Sequence, residues 1–308
     1  MSNAPDSMKS LTCGIATLTD KEFRRFSELI QAKCGIKISA SKKQMLEARL
    51  HKRLRSLGMT SFPDYCAYLF SREGRDKELI LLIDAVTTNK TDFFREPAHF
   101  GYLCKKIVPE FMSSGAGRRL RLWSAGCSSG EEPYTLAMVL NECSRDFDGF
   151  GFSILATDIS TKALEKARQG IYEAERTAPV PWEMKRKYFM TSRDRNKGLV
   201  RIVPEVRSLV RFSRLNLVED DFGLTESKDV IFCRNVIIYF DRPTQEKLLN
   251  QFCRHLSPNG YLFLGHSETL SGLDAPLVRV ESTIYRKADV RAEYSRPDSC
   301  QPCPPAHK

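Results

Sequence analysis

Apolar residues in the first third of the chain recur at helical spacing, and no run before residue 118 alternates apolar with polar positions. Four helices are predicted, from Thr19 or Asp20, from about Ser41 to Gly58, over 63–70 and over 76–86. The apolar stripes of the first two are Phe23, Phe26, Leu29 and Ile30, then Leu46, Leu50, Leu54 and Leu57. We therefore predict a small all-α N-terminal domain over residues 19–88, after a flexible leader of residues 1–18.

A polar stretch, T-T-N-K-T-D-F-F-R-E at residues 87–96, then interrupts the helical pattern. It offers an amide, a hydroxyl and a guanidinium from Asn89, Thr91 and Arg95. Such a connector can close over a ligand, although its polar groups can equally serve only to satisfy helix ends. A helix from Pro97 to about Ser113 follows, and residues 89–118 are assigned to a linker and lead-in helix.

The second half of the chain is organised around residues 119–133, R-L-R-L-W-S-A-G-C-S-S-G-E-E-P. A buried strand, a turn with Gly126 and Gly130, and a helix are predicted there, as in nucleotide-binding crevices. The spacing is not the dinucleotide fingerprint. Glu131 and Glu132 would repel a phosphate and suit a cationic or amino-bearing ligand, such as S-adenosylmethionine. An ordinary strand-to-helix turn is the alternative interpretation.

Strands and helices then alternate. Further strands are predicted over 152–157, 229–233, 261–264 and 283–287, with helices from 161 and over 243–256. This alternation favours an α/β fold with a doubly wound sheet, whose ligands bind at the carboxyl ends of the strands. We predict that residues 119–287 form this Rossmann-like domain.

Asp158 ends the second predicted strand. Nucleoside-binding α/β folds use an acid at this place to hold the ribose hydroxyls. The alternative role is the N-cap of the next helix. The preceding glycine turn favours the ribose role.

Residues 188–214 change character, with basic strand-like runs joined by a polar turn at residues 196–198. An antiparallel β subdomain inserted in or beside the parallel sheet is predicted over about 188–214. The Pro-rich tail, residues 288–308, is expected to be disordered.

The net charge of +10 is unevenly distributed. Residues 33–55 carry eight lysines and arginines against one acid, and residues 185–214 carry ten against two acids. Such patches indicate an acidic partner, namely nucleic acid, a membrane surface or an acidic protein, or else a solvated basic face. In the first patch, Lys42, Arg49 and Arg53 fall together on one side of the predicted helix.

Targeting signals are absent from the sequence pattern. No apolar run approaches the roughly 18 residues of a membrane helix, and the N-terminus lacks the layout of a secretion signal. The ten cysteines are scattered and are interpreted as reduced thiols, which predicts a cytoplasmic protein without membrane insertion.

Four motifs together resemble the bacterial chemotaxis receptor methyltransferases. They are T-T-N-K-T-D-F-F-R-E at 87–96, W-S-A-G-C-S-S-G-E-E-P-Y at 123–134, I-F-C-R-N-V-I-I-Y-F at 231–240 and L-F-L-G-H-S-E at 262–268. The resemblance covers about residues 20–287 in the same order. It implies methyl transfer from S-adenosylmethionine to glutamate side chains of methyl-accepting chemotaxis proteins, giving γ-glutamyl methyl esters and S-adenosylhomocysteine. It also implies a helical N-domain, a Rossmann-like catalytic domain and a three-stranded antiparallel subdomain.

The resemblance implies site residues by matching motif. The cofactor-binding positions it implies are Asn89, Thr91, Arg95, Glu132, Asp158, Asn216, Leu217, Arg234 and Asn235. Arg95 and Tyr239 would lie nearest the transferred methyl and act as the catalytic residues. No metal is implied, and nothing in the sequence requires more than a monomer.

The basic patches then gain a partner, the glutamate-rich helices of the receptors. Lys42, Arg49 and Arg53 are predicted to dock there. Some family members capture an acidic-aromatic receptor tail on the antiparallel subdomain by strand addition, which Arg193, Arg195 and Lys197 would suit.

Two rival functions remain at this stage. The first is a nucleic-acid methyltransferase, which the positive charge would allow. Nucleic-acid methyltransferases that act on exocyclic amines often carry an Asn/Asp-Pro-Pro-aromatic segment at the position where residues 235–239 of this chain read N-V-I-I-Y. A non-catalytic S-adenosylmethionine sensor is the second rival, against which the presence of Arg95 and Tyr239 argues.

Overall fold

A computed structural model of the chain describes residues 17–114, 119–194 and 198–288. The predicted leader and tail lie outside these ranges, except for residues 17, 18 and 288. Leu18 is buried among the N-terminal helices, so the helical unit begins before the predicted boundary at residue 19.

The N-terminal domain consists of helices, as predicted. They are α1 Asp20–Cys34, α2 Lys43–Ser56, α3 Phe62–Phe70 and α4 Arg72–Val86. Thr19 and Glu22 form a capping box at α1, and Ser61 and Ser71 cap α3 and α4 with their hydroxyls. The leucine stripe of α2 is buried against α1, α3 and α4, because its apolar positions recur every fourth residue on one face.

The lead-in helix differs from the single helix predicted over 97–113. It consists of α5 Pro97–Tyr102, a π-helical turn Leu103–Ile107 and α6 Val108–Ser113. Pro109 explains the interruption, because proline has no N–H to donate and its ring excludes regular α-helical packing against the preceding turn. Cys104 in this turn forms a disulfide with Cys143, so the interpretation of all cysteines as reduced thiols is wrong for this pair.

The remaining elements alternate between strands and helices. They are β1 Arg119–Ala125, α7 Glu131–Cys143, β2 Gly151–Asp158, α8 Thr161–Gln169, β3 Ile171–Glu173, α9 Trp182–Tyr188, β4 Phe189–Thr191, β5 Leu199–Ile202, α10 Pro204–Ser208, β6 Val210–Arg214, β7 Lys228–Cys233, α11 Arg242–His255, β8 Leu256–Leu264, β9 Leu277–Glu281 and β10 Ile284–Lys287. The main sheet has the order β6-β2-β1-β7-β8-β10-β9. Its first five strands pair in parallel, and β10 pairs antiparallel with both β8 and β9. The doubly wound α/β interpretation is therefore confirmed.

The inserted antiparallel subdomain has different bounds from those predicted. Its sheet, in the order β3-β5-β4, spans residues 171–202 and not 188–214. β3 has only three residues, too few for an alternating pattern to register. β6 belongs instead to the edge of the main sheet, where it pairs with β2 and carries exposed arginines like those of the insertion.

Side chains on the two faces of the main sheet pack into two clusters, because successive strand residues point to opposite faces. Leu122, Phe232 and Phe263 pack with α5 and α7 on one face. Trp123 and Ile231 pack with α11 on the other. β1, β2 and β7 are parallel, so their carboxyl ends lie along one edge of the sheet. None of the helices among the described residues has the length and apolarity needed to cross a membrane.

Candidate functional site

A cavity lies at the carboxyl ends of β1, β2 and β7, against the N-terminal domain. It encloses about 1270 Å³ of space, including part that is open to solvent. The cofactor-binding and catalytic residues predicted from the sequence all line it: Asn89, Thr91, Arg95, Glu132, Asp158, Asn216, Leu217, Arg234, Asn235 and Tyr239. The fold thus brings together residues that lie up to 150 positions apart, while their roles toward a ligand stay predictions.

The glycine turn after β1 permits close packing beneath the cavity. Gly126 has φ +83°, and a Cβ there would lie 2.5 Å from Cγ2 of Val236. Gly130 has φ +95°, and its Cβ would lie 2.9 Å from Cβ of Ala167. Only glycine satisfies both the left-handed backbone and the absence of space.

Glu132 is the acid of the pair that lines the cavity. It lies in the first turn of α7, where it accepts hydrogen bonds from Oγ of Ser124 at 2.7 Å and from Nη1 of Arg234 at 3.3 Å. Burial raises the pKa of its carboxyl, while Arg234 and Ser124 oppose this. A cationic ligand beside Glu132 would favour the ionised form.

Glu131 faces away from the cavity and is fully buried. Its carboxylate accepts a hydrogen bond from Ser129 at 2.7 Å and pairs with Arg176 of the inserted subdomain at 2.6 Å. Arg176 also donates to the carbonyl of Thr91 at 2.8 Å. The inserted subdomain is therefore tied to the linker and to α7 through one guanidinium.

Asp158 organises the glycine turn and is not the helix cap. Its carboxylate accepts the backbone N–H of Ser128 at 2.7 Å and of Ser160 at 2.9 Å. The N-cap of α8 is Ser160, so the capping alternative for Asp158 is wrong. Burial raises the pKa of Asp158, and the backbone donors oppose this. Each carboxylate oxygen keeps acceptor capacity for a ligand hydroxyl.

Arg95 is held in the cavity by its backbone. Among the described residues, its guanidinium makes no hydrogen bond or ion pair, whereas its carbonyl accepts a hydrogen bond from Arg234. The flanking residues Phe94 and Glu96 both have positive φ, and the buried ring of Phe93 anchors the segment. A guanidinium in the cavity that has no partner among the described residues is suited to bind an anionic group of a ligand.

Arg234 is a structural tie. Its side chain is 2% exposed and pairs with Glu96 at 3.2 Å and with Glu132 at 3.3 Å. It therefore joins the linker to the first turn of α7, and its charge is already neutralised inside the protein.

The segment after Arg234 brings Tyr239 to the cavity. Asn235 has φ +60°, and a 3₁₀ turn follows at Ile237–Tyr239. Nζ of Lys42, from the N-terminal domain, lies 5.9 Å from the centre of the Tyr239 ring.

The N-terminal domain supplies one wall of the cavity, which sequence reasoning missed except for Lys42. Lys37, Ile38 and Met45 line it. The backbone N–H of Lys37 donates to the carbonyl of Tyr239 at 2.9 Å. The amide of Asn216 donates to the carbonyl of Lys33 at 2.8 Å, so this predicted cofactor residue also binds the N-terminal domain. These residues form no chemical motif, so no sequence signal marked them.

The predicted docking stripe of Lys42, Arg49 and Arg53 is wrong as a free basic face. Arg49 donates to the carbonyls of Val86 and Thr87 and to Oγ1 of Thr88. Arg53 donates two hydrogen bonds, at 2.9 and 2.8 Å, to Glu78, which is 1% exposed. Lys42 remains exposed at the cavity. In the other predicted set Arg193 is exposed beside β4, whereas Arg195 and Lys197 lie outside the described residues.

Glu96, His99 and His266 bring three ligand-type atoms within 4.8 Å of one another. Both oxygens of Glu96 already accept hydrogen bonds, from Arg234 and from the backbone of His266, and Nε2 of His99 lies 2.9 Å from Oγ1 of Thr283. The absence of a metal stays a prediction.

Comparison with known families identifies the chain. Residues 89–286 match the model described as CheR methyltransferase, SAM binding domain, and residues 21–87 match CheR methyltransferase, all-alpha domain. The fold and cavity thus define a methyltransferase that binds S-adenosylmethionine. The chain belongs to the CheR methyltransferase family, which confirms the resemblance found in the sequence.

Three similar proteins are each called a chemotaxis protein methyltransferase. That of Borreliella burgdorferi is 40% identical over 274 residues, covering 88% of this chain and 95% of that protein. Chemotaxis protein methyltransferase 2 of Pseudomonas aeruginosa is 39% identical over 270 residues, covering 88% of this chain and 94% of that protein. That of Escherichia coli is 40% identical over 268 residues, covering 87% and 91%.

Proposed function

We propose that the enzyme transfers the methyl group of S-adenosylmethionine to glutamate side chains of bacterial chemoreceptors, giving γ-glutamyl methyl esters. The observation that carries this proposal is the guanidinium of Arg95, which has no hydrogen bond or ion pair within residues 17–114, 119–194 and 198–288 and lines the same cavity as Glu132, Asp158 and Tyr239. We place the reaction in the cytoplasm, with the enzyme as a monomer and without a metal.

The cavity fits the cofactor chemically. Glu132 would bind the ammonium of the methionyl end, and Asp158 would accept hydrogen bonds from the ribose hydroxyls. Gly126 allows close approach of the backbone, and Leu217 and Val236 provide apolar surface for the nucleoside. Asn89 and Thr91 would contact the ligand from the linker.

The reaction needs little chemistry from the protein. S-adenosylmethionine supplies a methyl group that its sulfonium already activates. A glutamate carboxylate is ionised near neutral pH, so no general base is needed. Arg95 would hold the acceptor carboxylate, and Tyr239 would donate one hydrogen bond to it. Both residues thus act by orientation, which brings the attacking oxygen to about 3 Å from the methyl group.

The central test uses tritiated S-adenosylmethionine and membranes that carry chemoreceptors. Label on the receptor that mild base releases as methanol is expected, because carboxyl methyl esters hydrolyse readily. Label retained on added RNA, with none on receptor, would instead identify a nucleic-acid methyltransferase. Tight binding of S-adenosylhomocysteine without label on any receptor of the organism would identify a sensor.

Two variants test the orienting residues. Arg95→Ala and Tyr239→Phe are expected to lower kcat by about 10- to 100-fold, with a smaller change in the Kd for S-adenosylhomocysteine. Steady-state kinetics and calorimetry measure the two quantities. Wild-type turnover in both variants would contradict the assigned roles.

The receptor would approach through basic groups at the cavity. Lys42 is exposed beside Tyr239, and Lys37 also lines the cavity, so acidic receptor helices would meet positive charge next to the reactive groups. A receptor tail would add to the open edge of β4, near Arg193. Removal of the tail from a receptor should then raise its KM, and an unchanged KM would exclude this tether.

A further inference from the structure

The L-F-L-G-H-S-E motif ends in a buried acid, Glu268, for which the reaction above has no use. Glu268 is 4% exposed, and it does not line the cavity. The carboxylate accepts four backbone N–H groups, from Asn235 at 2.8 Å, Val236 at 2.9 Å, Ile237 at 2.9 Å and Gly265 at 2.6 Å. A side chain with this many backbone donors acts as an anion in a nest of amides.

Three of these donors are consecutive and lead directly into Tyr239. A chain can point three successive N–H groups at one anion only by curling around it, and Asn235 adopts φ +60° to do so. Glu268 supplies the acceptors for these amides, of which that of Ile237 is buried and those of Asn235 and Val236 are partly buried. It therefore compensates the unfavourable backbone conformation of the segment that carries Asn235 and Tyr239.

The same carboxylate joins two strands of the sheet. Asn235–Ile237 follow β7, while Gly265 follows β8. The two strand ends are in close contact there, since a Cβ on Gly265 would lie 2.5 Å from Nδ2 of Asn235. A displaced Glu268 would release both ends at once.

We propose that Glu268 is a positioning residue for methyl transfer, which sets the place of Tyr239 and Asn235 through the backbone from Asn235 to Ile237. The proposal rests on the proposed function. The ionised carboxylate is required because it has only acceptors, whereas glutamine would present an NH₂ group to the same N–H donors.

The test compares Glu268→Gln with Asp229→Asn. Asp229 lies on β7 itself, near the end opposite the cavity, where its carboxylate accepts the backbone N–H of Arg121 at 2.8 Å and pairs with the Arg121 guanidinium at 3.1 Å. Both variants remove a buried or half-buried carboxylate charge. Glu268→Gln is expected to lower kcat by about 10- to 100-fold, and Asp229→Asn to leave kcat near the wild-type value.

A double variant shows whether Glu268 acts through Tyr239. If it does, adding Glu268→Gln to Tyr239→Phe lowers kcat little further, because both changes remove the same interaction. Losses that multiply fully would overturn the proposal. If Glu268→Gln does not fold, Glu268→Asp takes its place. Its carboxylate keeps the charge but is one methylene too short to meet all four N–H groups, so kcat should again fall and the same amides should exchange faster.

Hydrogen exchange separates this proposal from the proposed function, because it requires no turnover. The amides of residues 235–237 and 265 should exchange faster in Glu268→Gln than in the wild type, and should be unaffected in Asp229→Asn. If the wild-type enzyme labels no receptor, the proposed function fails while the exchange result still stands. Unchanged exchange at these four amides would overturn the positioning role itself.

Discussion

His99 illustrates how a single buried residue can give the protein a pH dependence. Its ring is 2% exposed, and burial, with the nearby charge of Arg234, lowers its pKa to about 4. Glu96 and His266 are the other titratable groups that face it. In the unfolded chain His99 binds a proton below about pH 6.5. Protons therefore favour the unfolded chain, and stability contributed by neutral His99 is lost as the pH falls from about 6.5 towards 4.

This effect is measurable as a difference between two proteins. Between pH 7.5 and pH 5, the free energy of unfolding should fall by about 2 kcal/mol more in the wild type than in His99→Gln. Denaturant titrations at both pH values give the comparison, and the glutamine control removes the contributions of other groups. Equal losses in the two proteins would show that His99 is protonated in the fold.

At the scale of single residues, the sequence predicted which side chains lie at the site. It did not predict which of them already bind other groups of the protein. The ten residues predicted to line a site all line one cavity. Seven of them lie in the motifs at 87–96, 123–134 and 231–240, which fix both residue type and spacing. Whether a cation is free depends on partners that folding supplies. Arg53 is occupied because Glu78, 25 residues later, faces it from another helix. A helical pattern on α2 alone cannot contain that information.

The contact between α2 and α4 shows what Arg53 does instead of docking. Glu78 accepts both Arg53 hydrogen bonds and one from the hydroxyl of Tyr65 at 2.8 Å. Arg53→Met should lower the free energy of unfolding by about 2–4 kcal/mol, because it leaves a buried carboxylate without its counter-charge. Lys52→Met, on the exposed side of the same helix, should change it by less than about 0.5 kcal/mol.

Thermal and denaturant unfolding of these two variants measure the predicted difference in their free energies of unfolding. The same measurement is needed to interpret weaker receptor binding by an Arg53 variant, because destabilisation of the N-terminal domain could weaken binding without any direct contact between Arg53 and the receptor. Equal free energies of unfolding for Arg53→Met and Lys52→Met would show that the contact with Glu78 is not stabilising, and Arg53 would again be a candidate for receptor docking.

Elements with long periodic patterns were predictable, and short ones were not. The four N-terminal helices and the strands that end at the cavity match their predictions within a few residues. β3 has only three residues. β9 is mostly exposed, valines included, so it has no buried face to mark it as a strand. Neither strand was therefore predicted. The bounds of the inserted subdomain were wrong because β6 resembles it in composition. β6 belongs to the main sheet because it pairs with β2. The sequence of one strand does not show which other strand it pairs with.

At the scale of the whole molecule, the N-terminal domain packs against the segments that carry Leu217 and Tyr239, and Gly35 lies at this contact. This residue ends α1 with φ +72°. A Cβ there would lie 2.5 Å from Cγ1 of Val218 and 3.1 Å from Cδ1 of Phe240. Val218 follows Leu217, and Phe240 follows Tyr239, so Gly35 lies against two of the segments that line the cavity. The cavity wall therefore depends on how closely the two domains approach.

Gly58 provides a matched control for this contact. It follows α2 with φ +67°, and a Cβ there would meet nothing within 4 Å. Gly35→Ala and Gly58→Ala should each cost about 1–2 kcal/mol for the left-handed backbone. Only Gly35→Ala adds a clash, and relief of such overpacking costs a further 1–3 kcal/mol or so.

The clash can be relieved by separating the domains, which opens the wall formed by Lys37, Ile38 and Met45. Gly35→Ala should therefore raise the Kd for S-adenosylhomocysteine by about tenfold, since each 1.4 kcal/mol or so corresponds to that factor. Gly58→Ala should keep the wild-type Kd despite its similar backbone strain. Calorimetric titration of the two folded variants separates domain approach from stability. If Gly35→Ala binds the product as tightly as Gly58→Ala, the N-terminal domain is a neighbour of the cofactor site and not part of it.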